Sequence, residues 1–148
     1  MIAAAAYALP PSDWPIQDRD TAQWIDTIPL YDGPWLLSAT QAILNFRALS
    51  NDWDGAGSPP VAPAVVATAI EVLRRFGTVV EPMSHASPVP GGGVQLEWYL
   101  RDRYLEIEVL PDGSLAYLSE AAGQTKEAAL SLADASTIRE LVSFLSHR

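Results

Sequence analysis

The chain has 148 residues, 49 % of them hydrophobic, and its 9 Lys and Arg against 18 Asp and Glu give a formal charge of −9 at pH 7. This composition excludes a wholly disordered chain and is typical of one globular domain. The absence of cysteine excludes disulfides and thiolate sites, and the shortage of basic residues disfavours direct binding to nucleic acid.

The N-terminal residues 1–9 are apolar but lack the basic residues that open a signal peptide. No apolar run reaches the roughly 18 residues that a membrane-spanning helix needs. We therefore expect a cytoplasmic protein that does not contact a membrane.

Residues 1–34 differ in composition from the rest of the chain. They contain five prolines and five aspartates, with one arginine as their only base. The prolines prevent long helices, whereas Trp14 and Trp24 each favour a large apolar contact. The sequence therefore predicts a Pro- and Trp-rich arm over residues 1–34, docked on its own domain or on a partner, and a single domain over residues 35–148.

Two helices are predicted at the start of this domain. Apolar residues recur at helical spacing from Leu36 to Leu49, and Ser38 precedes Gln41 by three residues, as in a capping box. A second helix is predicted from Pro63 to Phe76, because proline suits a first helical turn and the apolar arc that follows is wide.

The hydrophobic period then changes to two, which is typical of strands. Residues 94–100 and 104–109 both alternate apolar with polar side chains. A one-residue slip would mix acidic with apolar residues on one face, so a single register is expected. A two-residue turn at Arg101-Asp102 pairs Val94 with Val109, Leu96 with Ile107, and Trp98 with Leu105.

The next turn is predicted at Asp112-Gly113, a dipeptide typical of two-residue type I′ turns. Such a turn extends the hairpin to a three-stranded meander. It places Val109 opposite Ala116 and Ile107 opposite Leu118.

Two more strands and one helix complete the prediction. Residues 121–127 are expected to form a loop before a short strand at 128–132, and prolines keep an earlier strand near 83–89 at a sheet edge. A last helix is predicted over 135–146 with Asp134 as its cap. The expected fold class is α+β, an antiparallel meander of three to five strands with two N-terminal helices and one C-terminal helix packed on one face.

The other face of the meander is predicted to be acidic and aromatic. The same register sets Glu97 opposite Glu106, and like charges across a ladder are destabilising unless something compensates them. Arg101, Arg103 or a cationic partner are candidates for that role. The partner-binding residues predicted here are Gln95, Glu97, Tyr99, Tyr104, Glu106 and Glu108, with Trp14 and Trp24 on the arm.

Three interpretations of this face are open. It is an ordinary solvated surface, a patch that meets a basic partner, or an enzymatic pair of carboxylates that act as acid and base. A flat sheet face provides no cleft to desolvate such a pair.

The most distinctive loop is residues 51–58, Asn-Asp-Trp-Asp-Gly-Ala-Gly-Ser. Asp52 and Asp54 match two ligand positions of a calcium loop, but the later oxygens and the final Glu are missing. The glycines lack the preceding strand and following Lys of a phosphate-binding loop. We interpret the loop as structural, with Asp54 bonded to nearby backbone amides, and predict no catalytic, cofactor-binding or metal-binding residues.

Two motifs carry a resemblance to a known group of proteins. They are residues 53–59 (WDGAGSP) and residues 92–98 (GGVQLEW), joined by an alanine-rich helix and followed by an L-x-I-E strand. This arrangement resembles a family of small uncharacterised bacterial and phage proteins over roughly residues 50–118. The resemblance implies that the loop and the meander form one domain, and it implies no catalytic activity.

These observations predict a non-enzymatic interaction module that binds a basic, nucleic-acid-handling protein, as an antitoxin or a phage-borne inhibitor does. A small secretion or assembly chaperone and a small hydrolase or metal enzyme are the alternatives. No cofactor is expected, and the sequence does not indicate an oligomeric state.

Overall fold

The computed structural model describes residues 34–77 and 85–146, which form three helices and five strands. The helices are α1 (Pro34–Asn45), followed by a 3-10 turn (Phe46–Ala48), α2 (Pro63–Gly77) and α3 (Ala135–Ser146). The strands are β1 (His85–Val89), β2 (Gly93–Leu100), β3 (Arg103–Val109), β4 (Leu115–Ala121) and β5 (Gln124–Leu130). Consecutive strands pair antiparallel in the order β1-β2-β3-β4-β5, so the fold is α+β. The predicted arm, including Trp14 and Trp24, lies outside the described residues apart from Pro34.

The central hairpin of β2 and β3 has the register that the alternation predicts. Its three inward pairs are all fully buried, because each joins two apolar side chains on the side of the sheet that faces the core. We call this side the inner face and the opposite side the outer face. The inward pairs are Val94 with Val109, Leu96 with Ile107, and Trp98 with Leu105.

The predicted register between β3 and β4 is wrong by one residue. The loop has three residues instead of two, because the Leu110 amide donates to the Ser114 carbonyl at 2.9 Å and the Gly113 amide donates to the Leu110 carbonyl at 2.8 Å. Gly113 takes a φ of 84°, the left-handed conformation that closes such a loop after a proline-initiated turn.

The extra loop residue exchanges the two faces of β4, since side chains alternate along a strand. Val109 lies opposite Leu115 rather than Ala116, and Ile107 lies opposite Tyr117 rather than Leu118. Leu115 and Tyr117 are accordingly buried. Ser119, on the same side of β4, is also buried, and Glu120 is placed on the outer face.

The predicted loop over residues 121–127 is also wrong, because β5 already begins at Gln124. Ala122 and Gly123 both have positive φ, 50° and 72°, which is the pattern of a two-residue type I′ hairpin turn. An Ala-Gly pair is a weak turn signal, and the polar residues after it show no hydrophobic period, so the strand was not predicted at this position.

The opposite edge of the sheet is β1, which agrees with the predicted edge position. Pro88 lies opposite Val94 of β2. A proline has no amide hydrogen to donate, so it is tolerated where one side of the strand is unpaired.

The helices follow the predicted order with one difference at the first. α1 begins at Pro34, so Ser38 lies inside the helix and is exposed instead of capping it. α3 has the predicted bounds, and Asp134 caps it by accepting hydrogen bonds from the Ser136 and Thr137 amides at 3.1 Å. None of the described helices combines the length and apolarity needed to cross a bilayer.

The core lies between the helices and the inner face of the sheet. α2 contributes most to it, since seven of its side chains are no more than 2 % exposed: Val65, Val66, Ala69, Ile70, Val72, Leu73 and Phe76. The Phe76 ring packs against the Trp98 ring with centroids 5.6 Å apart. Ile138, Leu141 and Leu145 of α3 belong to the same cluster.

We expect Trp98→Ala to lower the free energy of unfolding by about 3–5 kcal/mol, because it removes a fully buried aromatic side chain from this cluster. The matched control is Tyr99→Ala, which truncates the adjacent side chain on the outer face, where Tyr99 is 60 % exposed. Its expected loss is below about 1 kcal/mol. Urea denaturation of both variants measures the difference, and equal losses would contradict the assignment of the two faces.

Candidate functional site

The outer face of the sheet brings six of the predicted site residues together. β2 contributes three of them and β3 the other three, and they form three opposed pairs: Gln95 with Glu108, Glu97 with Glu106, and Tyr99 with Tyr104. The two predicted tryptophans of the arm lie outside the described residues, so the structure does not place them relative to this face.

Two further carboxylates extend the site across β4 and β5. Glu120 lies opposite Tyr104 and Thr125, and Glu127 lies opposite Leu118. Neither was predicted, because the wrong register turned Glu120 inward and the predicted loop included Glu127. The residues Pro111-Asp112-Gly113 are compatible with a three-residue loop, and that loop places Glu120 on the outer face.

We call the outer-face carboxylates together the acidic face. The outer-face positions that the structure describes contain no Lys or Arg. The one histidine among them is His85, which lies opposite Glu97. The acidic face therefore has a one-sided charge. It consists of Glu97, Glu106, Glu108, Glu120 and Glu127.

Hydrogen-bond donors compensate the opposed Glu97 and Glu106. Three side chains donate to Oε1 of Glu97: the Gln95 amide at 3.0 Å, the Tyr99 hydroxyl at 3.0 Å and the Tyr104 hydroxyl at 2.8 Å. The Tyr104 hydroxyl also lies 2.6 Å from Oε2 of Glu106. Its single proton serves one carboxylate at a time, so Tyr104 bridges the pair.

The pKa of both tyrosines is raised. For Tyr104 the main cause is burial, followed by its hydrogen bonds to Glu106 and Glu97, since a nearby carboxylate disfavours a phenolate. For Tyr99 the main cause is the hydrogen bond to Glu97. Both hydroxyls therefore stay protonated as donors throughout the physiological pH range.

Arg103, a candidate compensating cation, is bonded to α3. It lies at an inward position of β3, where its Nη1 donates to the Phe144 carbonyl at 2.6 Å. Its guanidinium is 5.9 Å from the centre of the Phe144 ring and pairs with Asp102. Arg103 thus attaches the sheet to α3, and Arg101 is exposed in the turn.

The aromatic pair lies at one end of the acidic face. The Tyr99 and Tyr104 ring centroids are 4.9 Å apart with an interplanar angle of 39°. Both rings line an open, shallow depression of about 460 Å³ together with Leu100, Arg103 and Glu120. An exposed aromatic ring beside carboxylates is suited to contact a guanidinium, which stacks on rings and pairs with acids.

The loop over residues 51–58 is bonded to itself. Asp54 accepts hydrogen bonds from the Ala56 and Ser58 amides at 2.9 and 3.1 Å and from the Ser58 hydroxyl, and these bonds lower its pKa, with the hydroxyl as the largest cause. Asp52 accepts from the Gly57 amide at 2.7 Å. The prediction that Asp54 bonds nearby amides is confirmed, and both carboxylates are occupied by the loop.

The loop before α2 and the turn before β2, which carry the two motifs of the family resemblance, contact each other. The Gly91 amide donates to the Ser58 hydroxyl oxygen at 3.2 Å. A Cβ on Gly92 would lie 3.4 Å from the Pro60 carbonyl oxygen, and the residue has a φ of 97°, so only glycine fits this approach without strain. The motif residues thus join the loop before α2 to the turn before β2, which is a structural role.

Within the described ranges, no group of three or more His, Asp or Glu side chains is arranged to hold a metal ion. Comparisons with protein-family models, with curated proteins and with solved structures find no match to this chain. The resemblance to the small bacterial and phage proteins therefore stays a prediction.

We expect the double variant Glu97→Gln/Glu106→Gln to have an unchanged or increased free energy of unfolding at neutral pH. It removes two opposed like charges, while each amide oxygen can still accept a hydrogen bond. Glu71→Gln is the contrasting variant, because Glu71 pairs with Arg74 and Arg75, and its loss is expected to cost up to about 1 kcal/mol. Unfolding of the double variant would show that the acidic face is structural.

Alkaline pH is expected to destabilise the protein through Tyr104. Its pKa is raised in the folded state above the ordinary 10.0, so the folded state retains a proton that the unfolded state loses. The stability is present below pH 10 and falls as the pH rises above 10. Tyr104→Phe should flatten this fall more than Tyr99→Phe, because Tyr104 contacts two carboxylates and Tyr99 contacts one. Denaturation at a series of alkaline pH values measures both slopes.

Proposed function

We propose that the protein is a non-enzymatic interaction module whose acidic face binds a basic protein and blocks the cleft in which that protein holds nucleic acid. The observation that carries this proposal is the composition of the outer face, where five carboxylates and no Lys or Arg occupy the described positions. We take the helices to lie on the other side, which leaves this face open to a partner.

The charge of the whole chain supports the same partner. A net charge of −9 attracts a cationic protein over distances set by the Debye length, about 8 Å at physiological ionic strength. Charge complementarity of this kind raises the association rate and selects against acidic partners. An antitoxin and a phage-borne inhibitor of a nucleic-acid-handling complex both act in this way.

The hydrogen-bond network supports tight contact as well as attraction. Glu97 is held by Gln95 and Tyr99 and shares the Tyr104 hydroxyl with Glu106 before any partner arrives, so less side-chain freedom is lost on binding. Tyr99 is the exposed large hydrophobic side chain among the described residues, and it lies beside these carboxylates. Tyrosine and arginine are frequent at the centres of interfaces, so we place the strongest contact at the aromatic pair.

The alternatives have less support from the described residues. A chaperone of exported or assembling proteins would use an exposed apolar groove, whereas the outer face is charged. A hydrolase would need carboxylates in a desolvated cleft, whereas Glu97 and Glu106 lie on an open sheet face.

Two matched double variants test the proposal. Glu108→Gln/Glu120→Gln removes two charges from the acidic face outside the Glu97 network. Asp102→Asn/Glu140→Gln removes two exposed charges elsewhere, in a turn and on α3. Each variant changes the formal charge from −9 to −7, because two acids become amides. Tagged wild type and both variants are used to capture proteins from host lysate, with identification by mass spectrometry.

We expect the wild type and the Asp102/Glu140 variant to retain the same basic protein, and the Glu108/Glu120 variant to lose it at least tenfold. Binding should weaken with added salt and with competing duplex DNA, because both act on the partner's cationic cleft. Equal capture by the two variants would mean that binding depends only on the net charge of the chain and not on the acidic face, and it would overturn the proposal.

A further inference from the structure

The last strand, β5, is exposed far more than the other strands of the sheet. Six of its seven residues are exposed and only Leu130 is buried. The inward residues Gln124, Lys126 and Ala128 are therefore exposed as well, so the core does not extend beneath them. Burial of apolar surface therefore contributes little to the stability of this strand, since hairpins without a packed face are marginally stable in water.

The two edges of the sheet differ in how they are protected. β1 contains Pro88, which blocks pairing with another strand. β5 contains no proline, and its register with β4 runs without interruption from Leu115 opposite Leu130 to Ala121 opposite Gln124. Its inward charge, Lys126, is neutralised by Glu140 at 3.0 Å. β5 thus lacks the proline that protects β1.

The unpaired backbone groups of β5 can be assigned from its turn. In a two-residue hairpin the residues that flank the turn, Ala121 and Gln124, form a hydrogen-bonded pair, and bonded and non-bonded pairs then alternate. The N–H and C=O groups of Thr125, Glu127 and Ala129 consequently point away from β4. Within the part of the chain that the structure describes, no strand pairs with them.

We propose that β5 pairs antiparallel with β5 of a second copy about a twofold axis, which joins two five-stranded sheets into one. In this register Glu127 lies opposite Ala129 of the second copy, and the two Ala128 residues face each other on the axis. Lys126 then lies opposite Leu130 of the second copy.

The side chains favour this register over a twofold axis at either charged residue. Moving the axis to Glu127 or to Lys126 would place two like charges directly opposite, which is destabilising, whereas the proposed register opposes each charge to an apolar residue. The small side chains of Ala128 and Ala129 allow the two strands to approach closely. A twofold pairing gives hydrogen-bond partners to the outward N–H and C=O groups of both strands, because each copy uses the same edge. The inference does not depend on the proposed function.

Cysteine crosslinking tests the register in the full chain, which contains no natural cysteine. Ala128→Cys places two thiols across the axis, where Cβ atoms of opposed residues are about 4.5–5.5 Å apart and a disulfide forms with little adjustment. The control is Ala64→Cys, an exposed position in α2. We expect oxidation to give a crosslinked dimer for the first variant and not for the second. Equal crosslinking of both variants would overturn the proposal.

Sedimentation velocity tests the pairing itself. The wild type is expected at twice the 16.0 kDa chain mass, and more completely at higher salt, because salt screens the repulsion between two chains of charge −9. Ala129→Pro removes only an outward N–H and should give a folded monomer by circular dichroism. Ala135→Pro, at the first position of α3, removes the hydrogen bond from the Ala135 amide to the Ala133 carbonyl, and this variant should remain dimeric.

A wild type that is monomeric at all concentrations overturns the proposal. If the amides of Thr125, Glu127 and Ala129 in that monomer are nevertheless protected from hydrogen exchange, residues outside the described ranges of the same chain cover the edge instead.

Discussion

The pairing of β2 with β3 is the constraint on which both the core and the acidic face depend. Side chains alternate along each strand, so the register that buries Trp98 against Leu105 also directs Glu97 and Glu106 outward. A slip by one residue would bury carboxylates and expose a tryptophan, at a cost of several kcal/mol for the aromatic side chain alone. The charge of the outer face is therefore a direct consequence of how the core is packed.

The acidic face is tolerated because neutral donors, not cations, surround its central pair. Gln95, Tyr99 and Tyr104 donate to Glu97, and Tyr104 bridges to Glu106. A compensating arginine would have neutralised the surface, whereas hydroxyl and amide donors hold the carboxylates in place and leave their charge. This distinction supports a role in attracting a cationic partner, since the field of the face is retained.

The two conspicuous glycine motifs have a different role from the acidic face. The loop at residues 51–58 uses its own aspartates for its own amides, and Ser58 joins it to the turn before β2 through Gly91. These contacts fix where β2 begins and therefore how the acidic face is presented. At the far side of the sheet, β5 adds Glu127 to the acidic face and leaves an edge suited to a second copy, so one dimer would present two such faces in one sheet.

Local sequence patterns determined the helices, the cap at Asp134 and the β2–β3 register, because these depend on periodicity and on interactions between residues close in the chain. They determined six of the outer-face residues for the same reason. The faces of β4 required the tertiary structure, since one additional residue in the loop between Leu110 and Ser114 exchanges them, and turn residues allow either length. β5 has no hydrophobic period to reveal it. The contact of Arg103 with α3 was not predictable either, because only the folded chain brings the Phe144 carbonyl within reach. The sequence thus determined how side chains alternate along each strand. Long-range contacts determined which strands pair and which groups the charged side chains contact.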